Sequence, residues 1–174
     1  MGVIAESQFR SLVEQHQSMV YSIALRIAGD RGAAEEIAQD AFLELYAALK
    51  KMESEDHVRF WLRRVTANRA TDWLRRKAVR PDWSAEQWDE SYEAAIADRV
   101  GGAEVRLEQM VSTLPEVLRG AVVLRYQEDL EPDEIATLLG QPVATVKSNL
   151  QRALGLLRRK ADVMLKEFKR ERVG

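Results

Sequence analysis

Apolar positions recur at helical spacing along almost the whole chain. Phe9, Leu12, Val13, His16, Met19, Val20, Ile23 and Ile27 predict a long amphipathic helix over 6–28. Gly29-Asp30-Arg31-Gly32 breaks it. A second helix is predicted over 33–50, with Ile37, Ala41, Phe42, Leu45 and Leu49 inward and Glu35, Glu36, Gln39 and Asp40 outward. The polar run 51–57, KMESEDH, reads as a loop. A third helix over 58–78 draws its core from Phe60, Trp61, Leu62, Val65 and Leu74. Three helices of this size can close a small bundle.

From Arg80 to Gly102 the periodicity lapses, apart from a short helical piece near Tyr92 to Arg99. A loop of about 20–25 residues exceeds what compact domains usually hold, so a domain boundary is expected there. Trp83 and Trp88 are unusual in such a linker. Past Ala103, Val105, Leu107, Met110 and Val111 suggest a helix. Thr113 to Glu116 matches a capping box that opens the next one, continued by Leu118, Ala121, Val122 and Leu124.

The stretch Glu131 to Leu154 reads as helix, tight turn, helix. Ile135, Leu138 and Leu139 form one stripe, Gly140 stops it, and Pro142 suits the start of a new helix. Ala136 is small, as a residue must be where two helices cross closely. Val146, Leu150, Ala153 and Leu154 form the inward stripe of the second helix. Lys147, Ser148, Asn149, Gln151 and Arg152 are expected on its exposed face. Such donors and acceptors suit base edges and phosphates, on an element that fits a major groove. An ordinary helical hairpin with a solvated face would show the same hydrophobic spacing. The last helix is expected to run on through Leu157, Ala161, Met164, Leu165 and Phe168.

Charge sharpens the picture. The net charge of −2 conceals segregation. Residues 61–80 carry 7 basic and 1 acidic side chains, residues 81–104 carry 1 and 7, and residues 141–174 carry 9 and 3. Two basic blocks separated by acid are the footprint of a polyanion partner. On the third helix, Arg64, Asn68 and Asp72 are four apart and share a face. Arg63, Arg69, Thr71, Arg75, Arg76 and Lys77 surround it.

Other chemistries are excluded or weak. Cysteine is absent, which removes disulfides and thiolate metal sites. There is no Gly-rich phosphate loop and no G-x-S-x-G, so an enzyme is not expected. No cofactor or metal site is expected. His16 reads as a boundary residue, and Glu53 with His57 lacks further ligands. No apolar run reaches about 18 residues and no signal peptide is apparent, so a cytoplasmic protein without membrane insertion is expected.

Two stretches together carry a resemblance. They are AAEEIAQDAFLELYAAL (33–49) followed by FWLRRVTANRATDWLRRK (60–77), and LPEVLRGAVVLRYQEDLEPDEIATLLGQPVATVKSNLQRAL (114–154). In this order, with an acidic linker between, the chain resembles bacterial RNA polymerase sigma factors of the extracytoplasmic-function group of the sigma-70 family. The resemblance implies an all-α chain with two helical domains. A sigma2-like bundle would occupy 6–78, a linker 79–102, and a sigma4-like helix-turn-helix domain 103–170. It implies binding to core RNA polymerase, direction to promoter DNA and help with melting.

By this similarity Glu36, Gln39, Asp40 and Leu43 dock on a coiled-coil helix pair of the polymerase largest subunit, with Tyr46 widening the contact. Arg63, Arg64, Asn68, Arg69, Arg75, Arg76 and Lys77 read the −10 element. The loop 51–57 captures a flipped base, with Met52, Ser54 and His57 as candidates. Trp61 reads as packing rather than a melting wedge; Trp73 fits either role. Lys147, Ser148, Asn149, Gln151 and Arg152 read the −35 element, with Thr145 and Arg125 at phosphates. Asn149 departs from the Arg usual in the family's T-V-K-S-R motif, so Asn149→Arg is expected to raise promoter affinity and its salt dependence. The linker would approach the polymerase active-site channel, its acidity imitating nucleic acid. Anti-sigma regulation is common in the family, though no residue here identifies such a partner. The alternative is a one-component helix-turn-helix regulator that binds DNA without polymerase, which leaves the basic helix at 61–77 unexplained.

Overall fold

A computed structural model of the chain describes residues 3–78, 107 and 109–171. The linker 79–102, with Trp83, Trp88 and the helical piece near Tyr92, lies outside the described residues, as do Ala103, Val105 and the side chain of Phe168. The described residues are helical with no strand, and the chain divides into two compact units.

The first unit holds α1 (Val3–Ala28), α2 (Arg31–Ala48) and α3 (Glu55–Ala78), each packed on the other two. Gly29, at φ 69°, closes α1 in a backbone region that glycine enters without steric cost. Asp30 then opens α2, its Oδ1 accepting from the Ala33 N–H at 2.8 Å. A single 3-10 turn, Leu49–Lys51, leads out of α2.

The expected loop 51–57 is shorter than its polarity suggests. Ser54 Oγ accepts from the His57 N–H at 3.1 Å, and Glu55 and Asp56 occupy the first turn of α3. Acidic side chains suit the partly positive end of a helix, so a polar run that resembles a loop is largely a helix start. The core joins Val20, Ala41, Leu45, Val58 and Leu62, with Phe9, Leu12, Met19, Phe42, Met52, Trp61 and Val65 packed around it. Ala41, Ala67 and Ala70 are fully buried, which lets the helices approach closely. His16, expected at a boundary, is instead only 5% exposed, and its Nε2 has no hydrogen-bond partner. Burial lowers its pKa below the ordinary 6.5, with Arg59 and Arg63 adding to the effect and Glu55 opposing it.

The second unit holds α4 (Glu116–Tyr126), α5 (Pro132–Leu139) and α6 (Val143–Glu171). Residues 109–112 are also helical. The expected capping box at Thr113–Glu116 is absent. The Thr113 hydroxyl donates back to the Met110 carbonyl at 2.7 Å and also meets Lys160 of α6, while Pro115 occupies the N-cap of α4. A run from Leu118 to Leu124 is buried. Within it Arg119 bonds the carbonyls of Ser112 at 2.5 Å and Leu114 at 3.0 Å, fastening the preceding turn to α4. Lys160 has a lowered pKa, from burial first and the nearby Arg119 second.

Candidate nucleic-acid and polymerase interfaces

The helix-turn-helix is built locally. At α5, Glu131 and Glu134 form a reciprocal capping box, with the Glu131 N–H donating to Glu134 Oε2 at 2.8 Å and Pro132 at the first turn. Gly140 adopts φ 63° and ψ 39°, and the Gln141 N–H reaches back to the Ala136 carbonyl at 3.0 Å. This is the left-handed stop that the sequence predicts. Pro142 supplies its carbonyl to the Val146 N–H at 3.2 Å, one place ahead of α6 proper. Ile135, Ala136 and Leu138 of α5 and Val146, Leu150 and Ala153 of α6 are buried, and the two helices pack together.

That core decides which side chains of α6 face outward. Thr145, Lys147, Ser148, Gln151 and Arg152 are exposed. Asn149 is not: at 8% exposure it belongs to the buried side. The expectation that it stands on the reading face is therefore corrected. Position 149 is three past Val146 and four before Ala153, so it turns inward with them. A cation there would meet the interior rather than phosphate. Thr145 sits in the first turn of α6, where backbone N–H groups favour phosphate.

Arg125, expected at a phosphate, braces the α4–α5 turn instead. Its Nη1 is 3.3 Å from the Leu130 carbonyl, 3.3 Å from Glu131 Oε1 and 4.0 Å from Asp129 Oδ1. Asp129 holds φ 55° at this turn.

In the first unit α2 gathers the expected docking stripe. Glu36 and Gln39 are exposed, Asp40 is half-buried, and Leu43 is 67% exposed. Spacings of three and four place all four on one face. Tyr46 is also exposed and meets Phe9 edge-on at 5.0 Å.

On α3, Arg64, Asn68 and Asp72 are exposed together, as their spacing predicts, with Arg75 and Arg76 beyond them. Arg63 is half-buried. Arg75 lies 3.5 Å from Asp72, and Arg76 donates to the Asp72 carbonyl at 3.4 Å. Lys77 covers the Trp73 ring at 4.7 Å and lies 3.9 Å from Asp30. These side chains, with Arg76, line a recess of about 270 Å³. Arg69 leaves the set expected at the promoter: its guanidinium reaches α2, binding Asp40 at 2.9 Å and Glu44 at 2.7 Å. Of the base-capture candidates, Met52 packs on the core, Ser54 caps α3, and His57 Nδ1 accepts from the Glu53 N–H at 3.4 Å.

Sequence reasoning missed Glu44 and Asp30. Asp30 was detectable as a cap, being the acid just before a helical run. Glu44 carried no separate signal, because its partner lies 25 residues away. Among the described residues no group of three or more metal-ligating side chains occurs, and no helix is long and apolar enough to cross a membrane.

Comparison with known proteins decides the family. Residues 12–80 match the model for Sigma-70 region 2, and residues 104–157 that for Sigma-70, region 4. The RNA polymerase sigma-H factor of Pseudomonas aeruginosa is 31% identical over 174 residues, covering 91% of this chain and 89% of that protein. The chain belongs to the sigma-70 family. The ECF RNA polymerase sigma factor SigW of Bacillus subtilis is 29% identical over 168 residues, covering 88% of this chain and 89% of that protein. The probable RNA polymerase sigma factor RfaY of Xanthomonas campestris is 33% identical over 161 residues, covering 88% of this chain but only 40% of that longer protein. The sigma factor RpoE of Bartonella quintana, solved in complex with the anti-sigma factor NepR, shares the fold at a TM-score of 0.65 and 16% identity, covering 90% of this chain and 98% of that one. As a sigma factor the chain binds RNA polymerase and is not a one-component helix-turn-helix regulator.

Proposed function

We infer that this sigma factor divides promoter recognition between domains 6–78 and 103–170, joined by the acidic linker 79–102. The stripe Glu36, Gln39, Asp40 and Leu43 docks on a basic helical surface of core RNA polymerase. The α3 face, with Arg63, Arg64, Asn68, Arg75, Arg76 and Lys77, holds the −10 region as strands separate. Thr145, Lys147, Ser148, Gln151 and Arg152 hold the −35 element. The chain supplies no bond-making chemistry of its own and acts in the cytoplasm. An anti-sigma protein belongs among its partners.

The observation that carries this reading is the exposed row Lys147, Ser148, Gln151 and Arg152 on a helix set by a left-handed turn. Such a row, seated on a rigid helix pair, can enter a major groove. The test is transcription from a genomic library with core polymerase plus this protein, mapping start sites. Lys147→Ala and Arg152→Ala are then footprinted on the promoters found. Upstream protection should weaken for both, with the salt slope falling by about one for each phosphate no longer held. Unaltered protection and slope in both variants would remove the −35 assignment.

A further inference from the structure

Gly155 occupies the middle of α6, which runs unbroken from Val143 to Glu171. Glycine is among the poorest residues for a helix interior, and it is used there where another backbone must come close. No described element comes close here: nothing lies within 4 Å of the place a Cβ would take. Nine residues, or about two and a half turns, separate Gly155 from the buried Val146, so it faces away from the core. It lies instead four residues from Gln151 and three from Arg152, on the outward face with them.

A second observation stands one turn further on. Arg158 and Arg159 are both exposed, and among the described residues no acid pairs with either, although Asp162 is four and three residues away. Arg152, on the near side of Gly155, is also exposed and unpaired. The match to Sigma-70, region 4 ends at residue 157, so Arg158 and Arg159 lie beyond it.

We propose that the sugar–phosphate backbone of one promoter strand crosses α6 at Gly155, in the gap between Arg152 and the pair Arg158–Arg159, and that this pair holds its phosphates. This rests on the reading of Lys147, Ser148, Gln151 and Arg152 as the −35 face.

The geometry gives the glycine its use. A helix that reads bases with its first turns leaves the major groove along its later ones, past the ridge of phosphates at the groove's edge. Arg152 and Arg159 are seven residues apart, about 10 Å along the axis, one on each side of the point where that ridge would meet the helix. A side chain at 155 would stand between helix and ridge. Without one the strand can settle on the helix itself, within reach of guanidinium groups on both sides. The N–H of Gly155 is already bonded within the helix, so glycine contributes proximity and the arginines contribute charge. Contacts of this kind fix register and orientation without reading sequence. Gly155 is therefore a positioning residue, setting how deeply the −35 face enters the groove.

The test exploits two effects of opposite sign. Gly155→Ala and Gly155→Leu should both raise the melting temperature of the full chain, since each is a better helix former. Core polymerase carrying each variant is then titrated against a promoter duplex found by start-site mapping. Binding should weaken about two- to fivefold for Gly155→Ala and about tenfold or more for Gly155→Leu, as the strand is held off. Arg159→Gln should lower the salt slope by about one, and by about two when Arg158→Gln is added. In the Gly155→Leu background Arg159→Gln should cost less than in the parent chain, because the phosphate is already out of reach. A lowered melting temperature in Gly155→Ala, or unchanged promoter affinity in Gly155→Leu, overturns the proposal. So does a loss in Arg159→Gln that appears equally in binding to core polymerase without DNA. Lys147→Ala and Arg152→Ala report on the −35 reading separately. If they weaken upstream protection while the Gly155 and Arg159 variants do not, the crossing alone is lost; if none of the four does, the −35 reading goes with it.

Discussion

The two basic segments, 61–80 and 141–174, have the same net charge, yet their cations are differently available. On α3, Arg69 is held by Asp40 and Glu44, Arg75 by Asp72, and Lys77 by Asp30. On α6, Lys147 and Arg152 are exposed, and among the described residues no acid pairs with them. Arg75 and Asp72 are three apart on α3 itself; for Arg69 and Lys77 the cause is packing. α3 lies against α1 and α2, and α2 carries an acidic stripe within reach of its flank. In the second unit the acids cluster at 128–134, where Arg125 and the α5 cap engage them. A charge count therefore measures potential for a polyanion, and the neighbouring helix sets how much of it is on offer.

The strongest challenge to this contrast is Ile135→Ala. Ile135 is fully buried where α5 meets α6, and its truncation should cost the second unit about 2–5 kcal/mol. Denaturation of the full chain should show the loss, with −35 protection failing while core binding through the first unit survives. Joint loss of both activities would mean that the units do not act separately.

Asn149→Arg comes next. The family motif suggested a gain in promoter affinity; the burial of Asn149 reverses the expectation. Forcing a cation into that site should destabilise the second unit by about 1–3 kcal/mol without steepening the salt dependence. A steeper slope in a fully folded variant would restore position 149 to the reading face.

Gly140→Ala tests the turn that aims α6. Nothing lies within 4 Å of an added Cβ, so the penalty comes from the backbone alone, about 1–2 kcal/mol at φ 63°. Gly140→Asn should recover part of that loss in thermal melts.

The smallest effect concerns the first unit. The unfolded chain protonates His16 near pH 6.5, whereas the folded chain resists protonation until lower pH. The stability of the first unit should decline as pH falls through that value, and His16→Gln should flatten the decline relative to the second unit. A decline of equal steepness in the variant would assign it to other groups.

Much of the architecture was legible in residue order. Helical periodicity located the three-helix unit, and Gly140 between two apolar stripes located the helix-turn-helix. Caps were harder. Ser54 and Asp30 open helices from within runs whose polarity imitates a loop, and Thr113, a cap by pattern, turns its hydroxyl backward. Asn149 was misplaced because its polarity outweighed its position; its spacing from Val146 and Ala153 already pointed inward.

Residue order by itself determined the helices, the absence of thiol chemistry and the two basic blocks, because periodicity, composition and charge are local properties. It also carried the family motifs. Only the tertiary structure decided which of those charges stand exposed. Arg69 meets Glu44 across 25 residues, and Arg125 turns back onto its own hinge. Such pairings depend on how helices lie against one another, and that is set by burial of their apolar faces, not by the charged residues that the packing happens to bring together.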